Sequence, residues 1–277
     1  MKEENNNHIP AKKSLGQNFL KSKVALAKMI EAGEVNEKDV VLEVGPGKGA
    51  LTEKLLIAAK KVIAVEKDDR LISFLQEKFV GEIKNNKLEI IHTDILDFNP
   101  TIYNLLPTKY KIIANIPYYI TGVFLRKFLE TENQPSKIVV MVQKEITDRI
   151  IARDSKENLL SLSVKAFGEP KKIMKVDKEN FSPAPNVDSA ILLINNISKK
   201  FFTENKINEK DFFQIIHAGF AHKRKMLLGN LKEWFKKEGK NGENLSQIFT
   251  EIGLSEKIRA EDLPLQSWVP LIKKVTL

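Results

Sequence analysis

The sequence predicts an α/β fold with a mostly parallel sheet, followed by a small domain made only of helices. Three observations support this prediction. Short apolar runs alternate with segments of helical periodicity from Val40 to about Ile197. A glycine-rich turn follows the first of these runs, and after Ile197 the apolar residues recur only at helical spacing. Strands that alternate with helices favour a parallel sheet with helices on both faces.

Five apolar runs are expected to form the parallel strands. They are VVLEVG (40–45), KVIAVE (61–66), LEIIHT (88–93), KIIANI (111–116) and KIVVMV (137–142). The segments after the first, second and fourth runs carry apolar residues three and four positions apart, which is the stripe of an amphipathic helix. Two later runs are expected to close one edge of the sheet as an antiparallel hairpin, KKIMKV (171–176) and DSAILLIN (188–195).

The chain is expected to divide into three parts. Residues 1–11, rich in Asn and Glu, indicate a disordered tail. Residues 12–198 contain the predicted sheet. Residues 199–277 are expected to form the helical domain, because residues such as Phe212 and Ile216 recur at helical spacing there.

Composition limits the classes of protein to which the chain can belong. Of its 277 residues, 42% are hydrophobic and 29% are charged, which is typical of a soluble globular protein. The formal net charge of +9 favours a polyanionic partner such as nucleic acid, although a lysine-rich solvated surface gives the same value. The absence of cysteine excludes disulfides and thiolate chemistry. The four histidines show no metal-ligand spacing, so no metal is expected.

No targeting or membrane-spanning segment is evident. The longest apolar runs fall well short of the ~18 residues that a spanning helix needs. The first residues, MKEENNNHIPAKK, lack the apolar core of a signal peptide. We therefore expect a cytoplasmic protein.

The glycine-rich turn EVGPGKG (43–49) follows the first strand and opens a helix. Ligands of open α/β sheets bind at such carboxyl ends of strands. Gly45 and Gly47 let the backbone approach a ligand without a Cβ in the way. The spacing is not that of the dinucleotide motif. Glu43, just before the turn, suits a cofactor with a positive centre and an amino-acid tail better than a pyrophosphate.

Two acids at the ends of the next strands extend this cofactor site. Glu66 ends the second strand, 21 residues after Gly45, where an acid accepts hydrogen bonds from ribose hydroxyls. Asp94 follows the third strand and can accept from an adenine amine. Their neighbours Lys67 and Ile95 are expected at the same site. The alternative, a chance glycine turn with two surface acids, is disfavoured by the ordered set.

The segment Asn115-Ile116-Pro117-Tyr118 follows the apolar part of the fourth strand. The amide oxygen of Asn115 can accept a hydrogen bond from an exocyclic amine, and the ring of Tyr118 can stack on a flat base. The segment therefore suits a site that grips a nucleobase amine. The structural alternatives are a helix cap for Asn115 and core packing for Tyr118.

Together these features resemble the class I S-adenosylmethionine-dependent methyltransferases, which have a Rossmann-like fold. Further elements narrow the resemblance to the ribosomal RNA adenine N6,N6-dimethyltransferases, and within them to the bacterial small-subunit (16S) branch, the KsgA family. These elements are SLGQNFL (14–20), QKE (143–145), FSPAPNVDSA (181–190), AHKRKML (221–227) and RAEDL (259–263). The resemblance covers the chain from about Lys12 to its end.

The resemblance implies an activity and roles for residues. The activity is methyl transfer from S-adenosylmethionine to N6 of two adjacent adenosines near the 3′ end of 16S rRNA, in the small ribosomal subunit or its precursor. It implies that Asn18 and Leu20 help to close the cofactor pocket and that Gly45 lies against the methionine part. It also implies that Glu66 holds the ribose and Asp94 the adenine.

The same site suggests how the amine is activated. The side-chain oxygen of Asn115 and a main-chain carbonyl of Ile116 or Pro117 are expected to accept the two amine hydrogens. Tyr118 is expected to stack on one face of the base and Phe181 on the other. Core packing is the alternative for Phe181.

A basic element in the helical region is expected to contact RNA phosphates, namely Lys223, Arg224 and Lys225. A solvated charged face is the alternative. Three other functions remain open. They are methylation of large-subunit rRNA, as in macrolide resistance, methylation of DNA adenine, and a ribosome-assembly factor that methylates incidentally or not at all. The chain is expected to act as a monomer.

Overall fold

The computed structural model describes residues 9–239 and 242–276. Residues 1–8 of the expected N-terminal tail lie outside the described residues. The chain divides into two compact units. One comprises the chain up to Thr147 together with Lys171–Ile197, and the other comprises Asp148–Pro170 and the chain from Ser198 onward.

A seven-stranded sheet forms the centre of the first unit. The strands among the described residues are β1 (Phe19–Leu20), β2 (Val40–Val44), β3 (Lys61–Glu66), β4 (Leu88–His92), β5 (Tyr110–Asn115), β6 (Lys137–Gln143), β7 (Glu169–Val176), β8 (Phe181–Ser182) and β9 (Ser189–Asn195). The order in the large sheet is β4-β3-β2-β5-β6-β9-β7. The strands from β4 to β6 are parallel, and β9 runs antiparallel to β6. The predicted mostly parallel sheet with an antiparallel edge is confirmed.

The strand order explains where a ligand site can form. From β2 the chain passes outward through β3 to β4, then returns to place β5 on the other side of β2. The helices that follow β2 and β5 therefore leave in opposite directions, which opens a crevice between the carboxyl ends of these two strands. In β6 every residue but the last is buried, as expected for a parallel strand covered on both faces.

Helices flank this sheet. They are α1 (Lys23–Gly33), α2 (Ala50–Ala58), α3 (Asp69–Lys78), α4 (Val80–Lys84) and α5 (Thr121–Leu129), and α6 (Lys144–Ile150) follows β6. The side chain of Ser22 accepts the N–H of Ala25 and caps α1. Gly49 precedes α2 with a φ of +80°, and a Cβ at this position would lie 2.6 Å from the ring of Phe79. Glycine is therefore required at this entry to α2.

A two-stranded antiparallel pair of β1 and β8 lies apart from the large sheet. It pairs Leu20 with Phe181 and so ties the segment before α1 to the segment before β9. Neither strand is predictable from the sequence, because a run of two residues shows no periodicity.

The second unit contains the helices α7 (Leu159–Lys165), α8 (Lys200–Asn205), α9 (Glu209–Gly219), α10 (Leu227–Lys237), α11 (Leu245–Glu251) and α12 (Leu265–Val275). Its described residues after Asn195 contain helices and turns but no strand. Trp268 is fully buried, and a Cβ on Gly219 would lie 2.6 Å from its ring. None of the described helices of the chain combines the length and apolarity needed to cross a bilayer.

The two compact units do not correspond to the predicted single boundary after residue 198. Asp148–Pro170 belongs with the later helices, since α7 packs against α9. A boundary between residues 198 and 199 as the limit of two domains stays a prediction.

Candidate cofactor and base-binding site

A cleft, here called the sheet-edge cleft, lies at the carboxyl ends of the parallel strands. Its walls come from residues 15–19, the turn after β2, the ends of β3 to β5 and the turn that follows β5. Eleven of the predicted site residues line it: Asn18, Gly45, Gly47, Glu66, Lys67, Asp94, Ile95, Asn115, Ile116, Pro117 and Tyr118. The tertiary structure thus brings together residues that are up to 100 positions apart in the chain.

A second cleft, here called the basic cleft, adjoins the first. The two clefts share Phe19, Gly45, Gly47 and Asn115. The predicted site residues Leu20 and Glu43 line the basic cleft. Phe181 lines neither of them.

The turn after β2 has the backbone that its glycines predict. Gly45 and Gly47 have φ values of +65° and +59°, a region that disfavours other residues. A Cβ on Gly47 would lie 2.9 Å from the ring of Phe19. The N–H of Gly45 donates to the carbonyl of Val65, which ties the turn to β3. The turn therefore presents bare backbone to the sheet-edge cleft.

Glu66 is buried at the end of β3, and its carboxylate holds the surrounding backbone. One oxygen accepts the N–H groups of Lys67 and Asp68 at 2.8 and 2.9 Å, and the other accepts the N–H of Gly47 at 3.3 Å. Burial raises the pKa of Glu66, although these N–H groups favour the charged form. The second oxygen has only one long hydrogen bond, so it retains capacity for a hydroxyl donor.

Asp94 makes an ion pair that the sequence did not reveal. The ammonium of Lys67 lies 2.6 Å from one oxygen of Asp94, and the other oxygen accepts the N–H of Leu96 at 2.9 Å. Burial raises the pKa of Asp94, but the hydrogen bonds from Lys67 and Leu96 outweigh it and hold this pKa below its usual value. The carboxylate is therefore charged. An amine that donates a hydrogen bond to Asp94 must share this carboxylate with Lys67.

Asn115 has an orientation set by one hydrogen bond. Its Nδ2 donates to the carbonyl oxygen of Asn18 at 3.1 Å. This contact assigns the amide nitrogen to Asn18, so Oδ1 remains as the acceptor in the cleft. A helix cap is not its role, because Asn115 is the last residue of β5 and its side chain accepts no helix N–H among the described residues.

Hydrogen bonds hold Tyr118 in place in the wall of the sheet-edge cleft. Its hydroxyl lies 2.6 Å from Oγ of Ser189, a buried residue on β9. The hydroxyl of Thr121 donates to the carbonyl of Tyr118 at 2.9 Å. Burial raises the pKa of the phenol, so it stays neutral. One edge of the ring is anchored while the residue still lines the cleft, an arrangement suited to stacking.

Phe181 occupies a different environment from the one predicted. It is only 2% exposed and packs in the hydrophobic core with Leu20 and Ile191. Because the ring is enclosed by apolar neighbours, it does not face the sheet-edge cleft. Core packing is what the structure shows, and stacking of Phe181 on a base stays a prediction.

Two further residues of the sheet-edge cleft, Phe19 and Gln17, were not predicted as site residues. Phe19 lines both clefts, and the ammonium of Lys48 lies 5.2 Å from the centre of its ring. Gln17 donates to Asp68 at 2.8 Å and accepts the N–H of Lys12 at 2.7 Å, which ties the segment before β1 to the start of α3. The family resemblance includes this segment. A contact between side chains 51 positions apart, however, produces no local pattern in the sequence from which it could be predicted.

Glu43 is a buried acid whose two carboxylate oxygens lack hydrogen-bond partners within the part of the chain that the structure describes. The hydroxyl of Thr52, also buried, lacks one as well. Burial raises the pKa of Glu43 to about 8; the nearby hydroxyl and N–H of Thr52 oppose this shift in part, and the charge of Glu66 adds to it. An unpartnered buried acid beside a bare glycine turn fits a cofactor with a cationic amino-acid tail.

Glu43 should make folding stability fall as the pH rises. Its carboxyl keeps a proton up to about pH 8 in the folded protein but loses it near pH 4.5 when unfolded. The folded state therefore binds more protons in this window, and its stability declines from about pH 5 to pH 8. At pH 9 the Glu43→Gln variant should be more stable than the wild type by a few kcal/mol, at about 1.4 kcal/mol per pKa unit.

Urea unfolding of the unliganded protein at pH 5, 7 and 9 would measure this effect. Glu37→Gln is the matched control, because Glu37 is exposed and has no ion pair among the described residues. Parallel pH profiles of the wild type and the Glu43→Gln variant would contradict the assignment.

The predicted basic element of the helical region lies in the turn between α9 and α10. Lys223 and Arg224 are exposed and have no ion-pair partner within residues 9–239 and 242–276. Lys225 lies 2.8 Å from Glu233, which also contacts His222 and Lys237. Two of the three predicted cations are thus available to an anion, and the third is partly neutralised.

The described residues contain no cluster of three or more His, Asp or Glu side chains with the geometry of a metal site. The two carboxylates of the sheet-edge cleft, Glu66 and Asp94, are engaged in hydrogen bonds and an ion pair.

Comparison with known proteins gives a consistent result along nearly all of the chain. The model of a family described as "Ribosomal RNA adenine dimethylase" matches residues 9–276. A Dehalococcoides mccartyi protein named "Ribosomal RNA small subunit methyltransferase A" is 41% identical over 263 residues, which are 95% of this chain and 88% of that protein. A protein of the same name from Fusobacterium nucleatum is 37% identical over 268 residues, which are 95% of this chain and 96% of that protein.

Two solved structures share the architecture. A dimethyladenosine transferase from Plasmodium falciparum has a TM-score of 0.78 and 26% identity, with 93% of this chain and 97% of that chain covered. The 23S rRNA methyltransferase ErmE has a TM-score of 0.73 and 22% identity, with 94% of this chain and 100% of that chain covered. At that identity the second likeness shows the fold alone.

Proposed function

This chain belongs to the ribosomal RNA adenine dimethylase family, and on that premise we propose that it methylates N6 of two adjacent adenosines near the 3′ end of small-subunit (16S) ribosomal RNA. S-adenosylmethionine supplies the methyl group, which is carried on a sulfonium centre. Relatives named for the small subunit support this substrate, since they are 36–41% identical over nearly all of this chain.

The sheet-edge cleft and the adjoining part of the basic cleft together have groups for each part of the donor. The glycine turn allows close approach of the methionine part, and Glu43 can partner its ammonium group. Glu66 retains an acceptor for a ribose hydroxyl. Asp94 remains charged and can accept an adenine amine beside Lys67. Asn18 and Leu20 contribute to the neighbouring walls.

One observation carries the proposal: the hydrogen bond from Nδ2 of Asn115 to the carbonyl of Asn18. It leaves Oδ1 of Asn115 to accept one hydrogen of the adenine amine. The carbonyl of Pro117 already accepts the N–H of Ile120 at 3.2 Å and has one lone pair left, and the carbonyl of Ile116 is the other candidate for the second hydrogen. Accepting both hydrogens favours a pyramidal nitrogen whose lone pair is available for attack.

The base must leave its stack to reach Asn115, at a cost of a few kcal/mol. Stacking on Tyr118 offsets part of this cost, because the ring is already anchored through Ser189. In the helical unit, Lys223 and Arg224 offer charges for RNA phosphates. We also propose a cytoplasmic protein that acts as a monomer, as expected for an enzyme with one complete site per chain.

The test is methyl transfer to separated ribosomal subunits. The protein is incubated with methyl-labelled S-adenosylmethionine and with small or large subunits that lack N6,N6-dimethyladenosine. We expect label in the small subunit only, recovered after digestion as N6,N6-dimethyladenosine in two adjacent nucleotides. Label in the large subunit would instead favour the macrolide-resistance type of activity. Tight binding to the small subunit without label would favour an assembly factor.

A further inference from the structure

The basic cleft carries five lysines that the proposed function does not use. They are Lys13, Lys21, Lys23, Lys48 and Lys54, which come from the segments around β1, from the start of α1, from the glycine turn and from α2. The cleft also reaches Asn115 and Phe19, which line the sheet-edge cleft as well, so the two clefts are neighbours. A strand that runs from Asn115 along this cleft therefore meets these lysines.

Four of these lysines are available to a ligand. Lys13, Lys21, Lys23 and Lys54 are exposed, and none has a side-chain ion pair within the described parts of the chain, 9–239 and 242–276. The fifth, Lys48, is half-buried with its ammonium over the ring of Phe19.

The acids of the same cleft do not balance this charge. Glu53 lies 2.7 Å from Lys78 and is neutralised by it. Glu43 is buried, and its raised pKa of about 8 keeps it protonated at neutral pH in the unliganded protein. The basic cleft therefore has a clear positive excess, which favours a polyanion.

We propose that the basic cleft binds the backbone phosphates of the RNA strand that flanks the target adenosine, through Lys13, Lys21, Lys23 and Lys54. This inference rests on the proposed function, since it takes the nucleotide held at Asn115 as the point from which the strand continues. Four lysines along an open cleft contact phosphates without reading bases. The cleft thus contributes affinity and strand direction, whereas Asn115 and Tyr118 select the base.

The experiment compares two variants that lose the same charge. The cleft variant carries Lys13→Gln, Lys21→Gln, Lys23→Gln and Lys54→Gln. The control variant carries Lys38→Gln, Lys60→Gln, Lys84→Gln and Lys109→Gln, four exposed lysines that line neither cleft and have no ion pair among the described residues. Binding of single-stranded oligoadenylate is measured by fluorescence anisotropy from 50 to 300 mM salt. Thermal unfolding and cofactor binding confirm that both variants are folded.

We expect the cleft variant to bind oligoadenylate at least about tenfold more weakly than the control variant at low salt. Its plot of log affinity against log salt should be shallower by about 3, at ~0.7 for each lost phosphate contact on a single strand. Its KM for small subunits should rise with little change in kcat. Equal affinities and slopes for the two variants would overturn the proposal. Normal oligoadenylate binding with weakened subunit binding would also overturn it, in favour of a protein contact.

The outcome separates this inference from the proposed function. Wild-type protein that methylates small subunits, with a cleft variant that behaves like the control, would reject the inference alone. Loss of oligoadenylate binding in the cleft variant, with no methyl transfer by the wild type, would reject the proposed function and retain the cleft as an RNA-binding surface.

Discussion

Replacement of Asn115 by alanine is expected to lower the rate of methyl transfer by ~10²- to 10³-fold, with a much smaller effect on cofactor affinity. Removal of one preorganised polar group that acts on the transition state costs about this much in other enzymes. Oδ1 of Asn115 is the acceptor that the contact with Asn18 leaves to the cleft. Without it one hydrogen of the amine has no acceptor, and the nitrogen lone pair stays delocalised into the purine ring.

Single-turnover methyl transfer and calorimetric binding of the cofactor would separate the two effects. Asn85→Ala is the matched control, because Asn85 is exposed and lines neither cleft. Asn115→Asp keeps an acceptor oxygen but loses the donor to Asn18, so its rate should fall between those of the wild type and the alanine variant. Turnover of the alanine variant at the wild-type rate would remove Asn115 from the mechanism.

Replacement of Glu66 by alanine should weaken cofactor binding by about 10- to 100-fold, because a hydrogen bond to a charged group contributes about 1.5 to 3 kcal/mol. A second effect is expected without any cofactor. The N–H groups of Gly47, Lys67 and Asp68 all donate to this carboxylate, so its loss should also lower the thermal stability of the unliganded protein.

Cofactor affinity and melting temperature should therefore change together in the Glu66→Ala variant. Glu77→Ala, on the exposed face of α3, should change neither. In the Glu66→Gln variant the melting temperature should recover in part, since one amide oxygen can still accept backbone N–H groups. Cofactor binding that stays at the wild-type level in the alanine variant would reject the assignment of Glu66 to the ribose.

The large sheet followed closely from the sequence because four of its parallel strands, β2, β3, β5 and β6, are almost wholly buried and so appear as short apolar runs. Each of the five parallel strands lies within one residue of the predicted limits. The assignment of these strands also located the site. Carboxyl ends of parallel strands meet at one edge, so Gly45, Glu66, Asp94 and Asn115 had to come close together once the strands were assigned.

Elements whose existence depends on distant partners were not predicted. The pair of β1 and β8 exists because Leu20 and Phe181 meet across 161 positions of the chain. The core position of Phe181 follows from that pairing, and its aromatic character alone did not distinguish a stacking partner from a core residue. The grouping of Asp148–Pro170 with the later helices likewise depends on packing between α7 and α9.

The sequence by itself determined the fold class, the glycine turn, the two acids and the base-binding segment, because these depend on local periodicity and on which residues follow each strand. Only the tertiary structure decided the protonation of Glu43, the ion pair of Lys67 with Asp94 and the orientation of Asn115. It also decided which lysines share the basic cleft. Solvation and hydrogen bonding depend on neighbours that folding brings from other parts of the chain, and that information has no local pattern.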